Sequence, residues 1–179
     1  MDAPRIFVVD DDASSRELLT RILVKEGYAV ESLADGRDAI ALLDAGQAPD
    51  LVVSDINMTG MSGIDLLREL RGTSFTGQFV LLTAFASAET AIQALKMGAF
   101  DYIIKTENFI EELKLVVSNA LENRRLREEN TYLRREFRKI HGMGNLVGKS
   151  QKMQELFKMI EVVSDTSSTV LITGESGTG

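Results

Sequence analysis

Short apolar runs alternate with amphipathic stretches from residue 5 to about residue 120. Arg5–Val9 is apolar and β-branched, so it reads as a buried strand. Ser14 or Ser15 can cap a helix that puts Leu18, Leu19, Ile22 and Leu23 on one face, and Gly27 ends it. Tyr28–Leu33 reads as a second strand, and Asp38–Asp44 as a helix with Ile40, Leu42 and Leu43 inward. Leu51–Ser54, Phe79–Thr83 and Tyr102–Ile104 are further strands. Gly63–Leu70 and Ser87–Met97 are helices between them, the latter closed by Gly98. Another helix begins near Phe109. Five strands alternating with helices predict an α/β fold, a doubly wound parallel sheet with helices on both faces.

In such folds function gathers at the carboxyl ends of the strands. Asp10, Asp11 and Asp12 follow strand one, Asp55 strand three and Lys105 strand five, while Thr83 ends strand four. Each residue alone has an ordinary explanation. An Asp run is turn and cap chemistry, a Thr at a strand end is structural, and a lone Lys is solvated. Their placement on one sheet edge points to chemistry. Clustered carboxylates repel, and a hard divalent cation offsets the repulsion; Mg²⁺ favours such oxygens and commonly meets phosphate. A carboxylate can accept a phosphoryl group as an acyl phosphate. That transfer needs alignment and charge neutralisation, which Mg²⁺ and an ammonium such as Lys105 supply.

Composition narrows the classes. The chain has 179 residues, 44% of them hydrophobic, and a formal net charge of −7. It contains no cysteine, which excludes disulfides and thiolate metal sites. No apolar run approaches the roughly 18–20 residues of a membrane span. The start lacks a secretion signal, so a soluble cytoplasmic protein without membrane contact is expected. The acidic balance argues against broad nucleic-acid binding.

Val8–Asp12, Leu51–Met58, Leu81–Ala84 and Gly98–Lys105 resemble, in order, the motifs of the response regulator receiver family. The resemblance covers roughly residues 4–123. It implies strand order 2-1-3-4-5 and phosphorylation of Asp55 by a sensor histidine kinase. It also implies Mg²⁺ on Asp10, Asp11, Asp55 and the backbone carbonyl of Asn57. Thr83 and Lys105 would contact the phosphoryl group, and Tyr102 would move inward as Thr83 is drawn to it. Asp12 lies one place beyond the acidic pair and is expected to cap the helix. The family usually has Pro after the lysine; Thr106 stands here, which favours a trans peptide and a shifted loop.

From Phe109 to about Lys139 the chain contains neither Gly nor Pro and reads as one helix. Leu126, Asn130, Leu133 and Phe137 follow three-four spacing after a phase slip, which suits a coiled-coil seam and predicts a homodimer. Arg124, Arg125, Arg127, Arg134, Arg135 and Arg138 alternate with glutamates, the pattern of a solvated ion-paired flank rather than a DNA-binding face. His141, the only histidine, falls in an apparent linker and is expected to be exposed.

After Gly144 a new unit begins. Gln151–Val163 is amphipathic and Ser168–Thr173 has a buried-strand pattern. Gly174, Glu175, Ser176, Gly177, Thr178 and Gly179 then form the Gly-x-x-x-x-Gly of a phosphate-binding loop, without its Lys. Leu146–Gly179 resembles the start of the AAA+ domain of sigma-54-dependent activators of the NtrC type. The expected organisation is therefore a receiver over residues 1–123, a coiled-coil linker over 124–144 and the truncated beginning of the ATPase over 145–179. ATP, sigma-54 polymerase and promoter DNA would engage only the complete protein, so this chain is not expected to be an enzyme.

Three functions compete. The first is a regulatory receiver governing a sigma-54-dependent ATPase, or another P-loop NTPase. The second is an enzyme, either a P-loop NTPase or an aspartate-nucleophile phosphatase of the haloacid dehalogenase kind. The phosphatase wants a second Asp where Asn57 stands. The third is a coiled-coil adaptor, which leaves the acidic pocket unexplained. The regulatory receiver accounts for most of the residues.

Overall fold

In the computed structural model, strands β1 (Arg5–Val9), β2 (Ala29–Leu33), β3 (Leu51–Asp55), β4 (Gln78–Thr83) and β5 (Asp101–Ile104) form one parallel sheet, ordered β2-β1-β3-β4-β5. Helices α1 (Ala13–Lys25), α2 (Gly36–Asp44), α3 (Gly63–Arg71), α4 (Ala88–Lys96), α5 (Phe109–His141) and α6 (Gln151–Ser164) complete the elements. The structure describes residues 3–85, 87–141, 148–164, 166 and 169–174, and only the backbone of 137–141. Two compact units divide the chain, Met1–Glu129 and Asn130–Gly179.

Strict alternation along the strands divides the core of the first unit into two layers. Phe7, Val9, Val52, Phe79 and Leu81 meet Ala39 of α2, Leu66, Leu67 and Leu70 of α3 and Ala94 of α4. Ile6, Val8, Val53, Val80, Leu82 and Ile103 face the other way, onto Leu19 and Leu23 of α1 and Leu113, Val117 and Ala120 of α5. The central strands β3 and β4 are buried throughout, so they read as continuous apolar runs.

The helix boundaries follow from local chemistry. Asp12 caps α1 by accepting from the Ser15 N–H at 2.7 Å. Neither Ser14 nor Ser15 is the cap, because Ser15 turns its hydroxyl inward to Asp10 at 2.6 Å. Asp35, Ser62 and Ser87 cap α2, α3 and α4. Gly27 and Gly98 follow α1 and α4 with φ of +93° and +92°, a left-handed turn that glycine adopts without a Cβ penalty. Among the described residues no peptide is cis, so the Lys105–Thr106 bond is trans.

At the amino ends of the strands α5 is tied down by polar contacts. Arg124 pairs with Asp50 and donates to the Pro49 carbonyl at 3.3 Å. The buried Gln78 donates to Asn123 at 3.2 Å, and Asp50 also accepts from the Arg5 N–H at 2.6 Å.

In the second unit, α6 has an apolar stripe. The expected strand at Ser168–Thr173 is not formed among its described residues: 169–174 are irregular, and Leu171 and Ile172 are largely exposed. A strand is completed by a neighbour's backbone, and no described residue pairs with this one. No helix among the described residues is long and apolar enough to cross a membrane.

Candidate functional site

The parallel register brings the ends of β1, β3, β4 and β5 to one edge, with Val9 opposite Ser54, Asp55 opposite Leu82 and Thr83 opposite Ile104. One cation stands at its centre. Lys105 Nζ lies 2.6 Å from Asp55 Oδ1 and 2.9 Å from Asp10 Oδ2. Burial pulls the lysine pKa down, but hydrogen bonds to Asp55 and Asp10 and their charges outweigh it and leave the ammonium above its usual range. The Lys105 backbone N–H donates to the Thr83 carbonyl at 2.7 Å, which fixes the base of the side chain.

Asp10 is 2% exposed and fully engaged. Its Oδ1 accepts from the Asp12 N–H at 2.9 Å, and its Oδ2 from the Ser15 hydroxyl as well as Lys105. Asp55 Oδ2 accepts from the Asn57 N–H at 2.7 Å. The α3 amino terminus packs closely behind it: a Cβ on Gly63 would lie 2.2 Å from the Asp55 carbonyl oxygen, so only glycine fits.

Asp11 takes a different direction. Its Oδ2 accepts from the Thr59 N–H at 2.7 Å and the Thr59 hydroxyl at 2.8 Å. These two bonds, the backbone one first, hold its carboxyl below the usual range.

Thr83, 2% exposed, accepts from the Phe85 N–H at 3.2 Å and the Asn57 side-chain amide at 3.3 Å, and donates to the Phe85 carbonyl at 3.2 Å. The Tyr102 hydroxyl donates to that same carbonyl at 3.3 Å.

The structure thus gathers Asp10, Asp55 and Lys105 into direct contact and links Thr83 to Tyr102 through Phe85. Among the described residues no three His, Cys, Asp or Glu side chains converge closely enough to hold a metal ion, and Asp11 Oδ2 is engaged by Thr59. The donor chemistry fits Mg²⁺, because Asp10, Asp11 and Asp55 offer hard carboxylate oxygens on one edge. Ser15, Thr59, Gly63 and Phe85 belong to the site and were not expected. A Ser five positions after Asp10, one α1 turn into the helix, was the signal available for Ser15; Thr59 and Phe85 carried none.

Of the expected seam, Leu126 and Leu133 are 51% and 57% exposed and Asn130 is exposed. The Phe137 and His141 side chains lie outside the described residues. So do Glu175, Ser176, Gly177, Thr178 and Gly179, leaving Gly174 as the described part of the expected phosphate loop.

Residues 6–117 match the family model of the response regulator receiver domain, and residues 146–179 that of the sigma-54 interaction domain. The regulatory protein AtoC of Escherichia coli K12 is 35% identical over 98% of this chain and 38% of its own length. The transcriptional regulatory protein ZraR of Salmonella typhimurium is 38% identical over 97% of this chain and 38% of its own. The chain therefore spans well under half the length of these relatives. Among solved structures, the receiver domain of the Francisella response regulator 1452 aligns with a TM-score of 0.62 at 30% identity, covering 67% of this chain and 98% of that one. The Vibrio cholerae chemotaxis protein CheY4 aligns with a TM-score of 0.60 at 30% identity, over 66% and 98%. A five-stranded sheet in this order, an acidic edge crossed by one lysine, and a family match spanning both lead to one conclusion: the chain belongs to the response regulator receiver family and carries part of a sigma-54 interaction domain.

Proposed function

We propose that this chain is the phosphorelay part of a sigma-54-dependent transcription activator. Asp55 accepts a phosphoryl group from a sensor histidine kinase, and the receiver uses it to control an attached ATPase. The observation that carries this reading is Lys105 Nζ lying between Asp55 and Asp10 at the carboxyl edge of the sheet.

A carboxylate oxygen of Asp55 attacks phosphorus, a P–O bond forms, and the bond from phosphorus to the donor breaks with its electron pair leaving on the donor. Lys105 neutralises charge on the acyl phosphate oxygens. Mg²⁺, when bound, supplies further neutralisation of the phosphoryl oxygens. Asp10, Asp11, Asp55 and the Asn57 carbonyl would hold it, which requires Asp11 to leave Thr59. Thr83 donates to a phosphoryl oxygen, and Tyr102, which shares Phe85 with it, follows inward.

The receiver occupies the first unit and α5 leads from it as a coiled-coil linker. Exposed Leu126 and Leu133 support a homodimer through that helix, with Asn130 and Phe137 in the same seam. Residues 145–179 belong to the ATPase, with Gly174–Gly179 in its phosphate loop. ATP, sigma-54 polymerase and promoter DNA are met by the whole protein, and the setting is cytoplasmic.

The test is intact-mass spectrometry with acetyl phosphate and Mg²⁺. One phosphoryl group should be added to the wild-type chain and none to Asp55→Asn. Equal labelling of that variant would remove Asp55 from the mechanism.

A further inference from the structure

A hydroxyl donates one hydrogen bond and accepts two. Thr83 Oγ1 uses all three: its proton goes to the Phe85 carbonyl, and its lone pairs take the Phe85 N–H and the Asn57 amide. It has no second proton. To donate toward Asp55 it must release Phe85, the carbonyl to which Tyr102 also donates. The same rotation turns its lone pairs away from both N–H donors.

Asn57 stands at the junction. Its backbone N–H is held by Asp55 Oδ2 at 2.7 Å, and its side-chain amide reaches Thr83 Oγ1 at 3.3 Å. One exposed residue therefore bridges the carboxylate to be modified and the hydroxyl that responds.

We infer that the Asn57 carboxamide is a positioning group that holds Thr83 in its resting hydrogen-bond network and so sets how readily the switch turns. This rests on the phosphoacceptor reading of Asp55. It assigns the side chain a role separate from that of the Asn57 backbone carbonyl. Removing the amide takes one neutral hydrogen bond from the resting state alone. A bond of that kind changes an equilibrium by about two- to tenfold. Because the side chain is exposed, Asn57→Ala leaves no cavity.

The readout is the backbone amide NMR signals of Phe85 and Tyr102, with beryllofluoride and Mg²⁺ as the phosphoryl mimic. Without the mimic, the Asn57→Ala signals should lie partway along the path from resting to mimic-bound wild type. Their displacement should correspond to an active-to-resting ratio raised about two- to tenfold. In a Thr83→Ala background the same substitution should move these signals no further, since the hydroxyl it acts through is gone. Unmoved signals in Asn57→Ala, beside a wild type that responds to the mimic, overturn the positioning role alone. So does an equal displacement in the Thr83→Ala background. A wild type that ignores beryllofluoride overturns the phosphoacceptor reading and this role with it.

Discussion

Thr59 holds Asp11 through two hydrogen bonds to one carboxylate oxygen, from its N–H at 2.7 Å and its hydroxyl at 2.8 Å. If Asp11 is a ligand for Mg²⁺, the ion competes with Thr59. Thr59→Ala removes the hydroxyl bond and should tighten Mg²⁺ binding about three- to tenfold. Isothermal titration calorimetry on both proteins checks this. Unchanged affinity would take Asp11 out of the metal site.

Gly63 touches the site from behind. With a Cβ only 2.2 Å from the Asp55 carbonyl oxygen, Gly63→Ala must push α3 away from β3. A loss of about 1–3 kcal/mol in urea unfolding is expected, as for other overpacked positions. Phosphorylation should also slow, because the strand end moves. Wild-type stability would mean that the backbone relaxes without cost.

The start of α3 should show in acid. Asp65 accepts from the Ser62 hydroxyl at 2.6 Å and pairs with Arg68 at 2.6 Å, which together hold its carboxyl below the usual carboxylate range. A carboxyl lowered in the folded state contributes stability above its unfolded value and loses it as pH falls through the folded one. Asp65→Asn should therefore lower Tm at neutral pH, and the gap should close below about pH 4. Both groups are largely exposed, so the effect is small. A gap that is constant across the range would trace the loss to something other than charge.

The proposed helix seam makes a separate prediction. Leu133 is 57% exposed, and burying such a side chain contributes about 1.5–3 kcal/mol. Leu133→Asp would set like charges across a symmetric pair. Sedimentation should shift from dimer toward monomer while Asp55 still accepts phosphate. Dimers that survive both this change and truncation near Leu121 would place the contact on the receiver itself.

Element type and order were readable because period-two and period-3.6 patterns are local, and Asp10, Asp55, Thr83 and Lys105 could be aligned by their places after strands. What the pattern left open depends on direction or distance. Three consecutive aspartates look alike, yet Asp10 points into the pocket, Asp11 crosses to Thr59 and Asp12 turns to cap α1. The Asp11–Thr59 and Arg124–Asp50 contacts join residues far apart in sequence, so no local spacing announces them. The run at 168–173 has strand composition, but composition supplies no partner for the backbone.

β2 is one of the two edge strands of the sheet, bonded only to β1, and it carries a charge at its midpoint. Glu31 stands there half in solvent, 3.6 Å from Arg5. A strand adding to that rim from another molecule would have to strip water from the pair, and five residues offer it few ladder bonds in return. That edge is thus protected against fibre-like growth by strand addition.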